Sequence, residues 1–295
     1  MANLKEVRNR ISSTESTQQI TKAMKLVSAT KLRKAQDNIT KMKPYSEKLQ
    51  SILANLSGSV DDDARLKSYF EYRDPKKSLL IVISSDRGLC GGFNSNAVKA
   101  TKEYIEMKAE KNGIDFSIMY FGKKAKDTFK KESYTTIEKN INVFQDLSAE
   151  NVFEMGDEII EEFISGKYDE VTVVYNSFKN AATQIIKTEK LLPVQIETFD
   201  NDKEGSSLEA DYIFEPSKEE ILYDLVPRAI KTQLYKACLD SAASEHGARM
   251  VAMDKATENA GEIIEDLKLE YNQARQAAIT GEILEIVGGA AALDA

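Results

Sequence analysis

The chain has 295 residues, with 48 acidic against 40 basic side chains and a formal net charge of −8. That length carries one or two domains with a real core, and no run of 18 apolar residues occurs, so no membrane-spanning helix is expected. Met1–Arg10 is charged and no apolar stretch follows it, so no secretory signal is expected either.

The amino-terminal stretch Asn3–Ser57 reads as one very long helix. Stepping by threes and fours from Leu4 gives Val7, Ile11, then Leu32, Ala35, Ile39, Met42, Leu49, Leu53 and Leu56, a heptad seam. The only proline is Pro44, which predicts a kink or a broken turn. In the middle the same steps fall on Thr14, Gln18, Thr21, Lys25 and Ser28, while Ile20, Ala23, Met24 and Val27 form an apolar stripe on a shifted face. Two readings stand. One is a coiled-coil stutter that moves the seam around the helix; the other is a second apolar face turned toward another partner. Residues 1–50 hold eleven basic and four acidic side chains, a local +7. The carboxy-terminal stretch from Ser217 holds eight basic and fourteen acidic, so pairing between the two ends explains the basic helix better than nucleic acid does. The Lys22–Lys34 cluster is left over for an acidic surface on another chain.

Gly58–Pro75 reads as a link. Ser78–Ser84 is a continuous apolar run that suits a strand buried on both faces. It leads into Ser85-Asp86-Arg87-Gly88-Leu89-Cys90-Gly91-Gly92 and a helix over Ser95–Lys111. Further on come a strand at Ile114–Phe121, a short helix at Lys123–Lys131 and a strand at Tyr134–Val143. A helix capped by Ser148 follows to Ser165, then a strand at Val171–Tyr175. Gln184–Leu192 and Val194–Phe199 read as antiparallel or edge strands around Pro193. That order predicts a Rossmann-like α/β layer. A glycine turn between strand and helix is where nucleotides bind, but Gly88-x-x-Gly91-Gly92 is not Gly-x-Gly-x-x-Gly, and no acid closes the second strand convincingly. A structural turn at Arg87, Gly88, Gly91 and Gly92 is expected, with Arg87 reaching a helix or a partner. No Gly-x-x-x-x-Gly-Lys-Ser/Thr loop occurs, His246 is the only histidine, and Cys90 and Cys238 are far apart. No catalytic residue, cofactor or metal site is therefore expected.

Ser217-Lys218-Glu219-Glu220 is a capping box. The helix it opens is bent by Pro227 and reaches Val287, with a stripe through Ala260, Ile263, Leu267, Tyr271, Ala274, Ala278 and Gly281; Gly288–Ala295 is expected to fray. Ile279–Val287 is apolar on several faces, which predicts a collar of other protein. The fold class expected is α/β: a long antiparallel coiled coil of the terminal helices (1–57 and 217–295) plus a Rossmann-like α/β domain (58–216).

Ile279-Thr280-x-Glu282-x-x-Glu285-x-x-x-Gly289-Ala290 resembles the carboxy-terminal signature of the ATP synthase gamma subunit family. Ser85–Gly92, Thr21–Ala29 and Ala248–Met253 resemble its other motifs, in order, over essentially the whole chain. The resemblance implies a rotor subunit on the cytoplasmic face of a bacterial inner membrane, with no chemistry of its own. Implied partners are three alpha and three beta subunits, the epsilon and delta subunits and a membrane c ring. It implies contacts to alpha and beta through Met24, Lys25, Arg249, Arg275, Gln276, Thr280 and Glu282. It implies contacts to the c ring through Tyr212, Phe214 and Glu215, with Phe214 replacing the family's common Tyr. From the residues alone, a nucleotide-binding enzyme with helical arms and a basic coiled-coil binder of nucleic acid remain as alternatives.

Overall fold

The computed structural model describes residues 4–56, 64–130, 134–194, 215 and 217–293. The elements in order are α1 (Leu4–Leu56), α2 (Ala64–Phe70), β1 (Lys77–Ile83), α3 (Phe93–Asn112), β2 (Asp115–Phe121), α4 (Lys123–Phe129), β3 (Thr135–Ile137), α5 (Ala149–Ile164), β4 (Glu170–Phe178), β5 (Gln184–Leu192) and α6 (Lys218–Leu293). Contacts divide the chain into two compact units, Ala29–Ala248 and the residues up to Ser28 together with those from Arg249 on. This division cuts both terminal helices, so compactness does not follow the helix ends.

In the larger unit the sheet runs β3-β2-β1-β4-β5, parallel throughout except for β5, which pairs antiparallel with β4. The apolar run of β1 serves both faces, as its pattern requires. Leu79, Ile81 and Ile83 pack on one side with Val152, Ile159 and Phe163 of α5, Leu53 of α1, and Leu222, Val226, Ile230 and Leu234 of α6. Leu80 and Val82 pack on the other with Val98 and Ile105 of α3, Phe129 of α4, and Phe116, Ile118 and Tyr120 of β2. Each such fully buried side chain contributes about 1.5–3 kcal/mol. The arrangement is the expected Rossmann-like layer.

Local expectations hold at both caps. The Ser148 hydroxyl accepts from the Asn151 N–H, and Ser217 Oγ accepts from the Glu220 N–H at 3.2 Å. Three differ. Residues 64–70 of the supposed link form α2, which buries Leu66 completely. The strand expected at Tyr134–Val143 is only Thr135–Ile137, followed by a 3₁₀ turn at Val143–Gln145. The helix expected to fray continues through Gly288 and Gly289 to Leu293. Neither proline ends its helix: Pro44 lies inside α1 and Pro227 inside α6. Of the second edge strand, the residues beyond Val194 lie outside those described.

Within the smaller unit α1 and α6 run antiparallel. Partner numbers fall along α6 as they rise along α1: Arg8 to Tyr271, Glu15 to Lys268, Gln18 to Gly261, Thr21 to Thr257 and Lys25 to Asp254. Opposite net charge at the two chain ends predicted an antiparallel coil, and α6 supplies Met253, Ala260, Ile264 and Leu267 as buried members. Here one residue is corrected: Ile264 turns inward, while Ile263 is about half exposed.

Candidate interaction surfaces

The middle of the α1 seam resolves the choice between stutter and second face. The seam does not move. Thr21 is 8% exposed and Ser28 only 3%, while Ile20 is 60% and Val27 55% exposed. Polar side chains can be inward because they are bonded there. The Thr257 hydroxyl donates to Thr21 Oγ at 2.8 Å, the Gln18 amide donates to the Thr257 carbonyl at 3.4 Å, and Lys25 pairs with Asp254 at 2.5 Å. The apolar stripe of Ile20, Ala23, Leu26 and Val27 is consequently a surface feature, with Met24 half-buried beside it. Pairing of basic α1 with acidic α6 holds at Lys25 and Asp254, but reverses sign at Glu15 and Lys268. Lys22, Lys31, Arg33 and Lys34 are exposed.

Arg249, expected on a contact face, is 9% exposed, so little of its own surface is open in this chain. Arg275, Gln276, Thr280 and Glu282 are all exposed. They lie where α6 runs past the level of Leu4, the first described residue of α1. There Ile283, Leu284, Ile286 and Val287 are more than half exposed. An apolar helix end with no described helix beside it is the feature that a collar would cover. Of the three residues expected against a membrane ring, Glu215 is exposed, and Tyr212 and Phe214 lie outside the described residues.

The glycine turn after β1 is closed by its own side chains. The Ser85 N–H donates to Asn94 Oδ1 at 2.9 Å, the Asn94 amide donates to Ser85 Oγ at 2.7 Å, and that hydroxyl donates to the Arg87 carbonyl at 2.7 Å. Gly91 has φ +58 and Leu89 φ +61, the left-handed region that strains a leucine. One strand over, Gly122 sits at φ +98 where a Cβ would lie 2.0 Å from the Ser84 carbonyl oxygen. The Ser84 hydroxyl accepts the Ala125 N–H at the start of α4 at 3.0 Å. These bonds brace the turn after β1 and the start of α4 from within the protein. Arg87 itself is exposed.

Sequence reading missed a buried ion pair in the sheet. Glu170, 3% exposed, meets Lys190 Nζ at 2.8 Å and accepts from the Tyr104 hydroxyl at 3.0 Å. Burial pushes the Glu170 pKa up, but the hydrogen bond and charge of Lys190 outweigh it and leave it below the usual value. Burial and the Glu170 charge push the Tyr104 phenol up to about 12. The two ends of the pair are twenty positions apart and unremarkable in sequence; only the β4–β5 register brings them together.

Comparison with known proteins bears on what these surfaces meet. A family model described as ATP synthase matches residues 3–293. The ATP synthase gamma chain of Christiangramia forsetii is 55% identical over the full length of both chains, and that of Cytophaga hutchinsonii 52% identical over the full length of both. The chain belongs to the ATP synthase gamma chain family. Its fold is also found in chains of solved ATP synthase assemblies. A chain of the Euglena gracilis mitochondrial ATP synthase, described as OSCP/F1/c-ring in rotational state 3, matches with TM-score 0.64 at 21% identity, covering 98% of this chain and 94% of that one. A chain from the central stalk and c ring of the Tetrahymena thermophila enzyme matches with TM-score 0.54 at 23% identity, covering 80% and 99%. No helix among the described residues is long and apolar enough to cross a membrane.

Proposed function

We propose that this gamma-family chain is the central-stalk rotor of an F-type ATP synthase, coupling rotation of an ion-driven c ring to nucleotide turnover on the alpha and beta subunits. The observation that carries the reading is the end of α6. It outruns α1 and leaves Ile279, Ile283, Leu284, Ile286 and Val287 exposed on several faces of one helix. An exposed apolar tip of this kind marks a surface that other protein covers. Three alpha and three beta subunits would form that collar, with Arg275, Gln276, Thr280 and Glu282 on its contact surface. Lower on the coil, the stripe of Ile20 and Val27 beside Met24 and Lys25 would meet the same subunits, and Arg249 would position that surface from beneath. Tyr212, Phe214 and Glu215 would face the c ring, with epsilon and delta completing the complex at the cytoplasmic face of the inner membrane.

In this role the chain itself breaks no phosphate bond; it transmits torque. A shaft that turns inside a collar needs contacts that form and release, and exposed charge pairs and small apolar stripes suit that better than a large fixed interface. The domain roles follow: residues 1–57 and 217–295 as shaft, 58–216 as the body that joins the ring. The test is co-expression with the alpha and beta chains of a close relative. A stable complex should form, and a bead fixed to the α/β body should rotate when ATP is added. Absence of a complex, or ATP hydrolysis by the purified chain alone, would overturn the reading.

A further inference from the structure

We propose that the outer half of the β4–β5 hairpin, residues 175–187, is the handle by which the α/β body grips and turns α6, its tip at Ala181 resting on Gly247. The inference rests on the rotor reading above for its use, and on geometry for its existence. β1 pairs with β4 only as far as Val174. Beyond that point β4 and β5 continue as a two-stranded ribbon, with Tyr175 opposite Lys187 and Phe178 opposite Gln184. A lone ribbon is marginal in water, so its flanks decide whether it stands. On one flank the buried Asn176 amide donates to the Phe93 carbonyl at the start of α3 at 3.4 Å. On the other the Ser177 hydroxyl donates to Asp240 Oδ2 of α6 at 3.2 Å.

The tip is braced within itself and meets the helix directly. Asn180 and Thr183 exchange both backbone bonds at 3.2 Å, and the Asn180 side-chain oxygen accepts the Ala182 and Thr183 N–H groups at 3.0 and 2.7 Å. A Cβ at Gly247 would lie 3.2 Å from Ala181 Cα and 3.4 Å from the Phe178 ring, so no side chain of α6 intervenes at that point. Asp240 and Gly247 are seven positions apart, two turns along one face and about 10 Å in height. A helix held at one height pivots about the contact; held at two heights on one face, its direction is fixed as well. Cys238 is the furthest α6 residue in the core between sheet and helix. Gly247 lies about 14 Å beyond it along the axis, and the larger unit ends at the next residue, Ala248. A sideways push at Gly247 therefore has a longer arm about that core than any push within it.

The test uses the complete complex in sealed vesicles, where ATP hydrolysis and ATP-driven ion pumping are measured together. Replacing residues 179–183 by a two-residue Asn-Gly turn closes the hairpin at the Phe178–Gln184 pair and removes only the tip. ATP hydrolysis and the urea midpoint of the isolated chain should change little, while ions pumped per ATP should fall by about threefold or more. The variant Ala181→Cys/Gly247→Cys should form a disulfide on oxidation, since the two sites are within its reach. With the tip so tied to α6, pumping per ATP should stay within about twofold of the natural chain. Pumping per ATP unchanged in the shortened hairpin would overturn the proposal, as would a parallel fall in hydrolysis, pumping and urea midpoint, the mark of a merely structural turn. Failure of the disulfide to form, or loss of pumping once it has formed, would also overturn it. A natural chain that neither assembles nor pumps would instead count against the rotor reading.

Discussion

Lys190→Met removes one partner of the buried pair and leaves Glu170 in the sheet. The Glu170 side chain is 4% exposed and that of Lys190 20%, so water cannot replace the ammonium fully. Removing one member of a buried pair costs about 3–5 kcal/mol. The Tyr104 hydroxyl still donates to Glu170, which argues for the lower end, about 3 kcal/mol at neutral pH. The pH dependence carries the sign. In the natural chain the Glu170 pKa lies below its unfolded value, so the pair stabilises above the ordinary carboxylate range and its contribution is lost as pH falls through the folded value. Without Lys190 burial dominates and raises that pKa, so the folded variant takes up a proton that the unfolded chain does not. The deficit of the variant should therefore shrink between pH 7 and pH 5. Urea unfolding of the full chain followed by far-UV circular dichroism at both pH values measures it. Glu170→Gln/Lys190→Met should recover most of the loss. A deficit below about 1 kcal/mol at pH 7, or one that is the same at both pH values, would refute the reasoning.

Gly122→Ala should be among the most damaging single changes, costing about 3 kcal/mol or more by urea unfolding, because its Cβ would lie 2.0 Å from a backbone oxygen at φ +98. Gly91→Ala has open space around it and only the φ +58 strain, so the same measurement should show about 1 kcal/mol. Cys238 is fully buried, and burial pushes its thiol far up. A thiol reagent at pH 8 should label it only after unfolding, and rapid labelling of the folded chain would contradict its place between sheet and helix. Arg275→Ala should slow ATP turnover of the assembled complex while leaving the helicity of the isolated chain unchanged by circular dichroism; a loss of helicity would reveal a folding role.

Much of the architecture was legible. Three-four spacing located both terminal helices, an uninterrupted apolar run marked β1 as buried on two faces, and Ser148 and Ser217 marked where helices begin. Those signals are local: period, cap and run length depend on neighbours in the chain, and the motifs around Ser85 and Ile279 carried the family. What stayed hidden were choices that depend on a partner across space. Thr21 and Ser28 look like solvent-facing residues until Thr257 and the turn above satisfy them, and only then does Ile20 become surface. Ile263 and Ile264 fit a helical stripe equally well until α1 selects one. Glu170 and Lys190 acquire meaning from strand register alone. Apolar spacing therefore placed the helices, while at Gln18, Thr21 and Lys25 in the polar part of the seam the facing is held by bonds to residues more than two hundred positions away, which no local pattern announces.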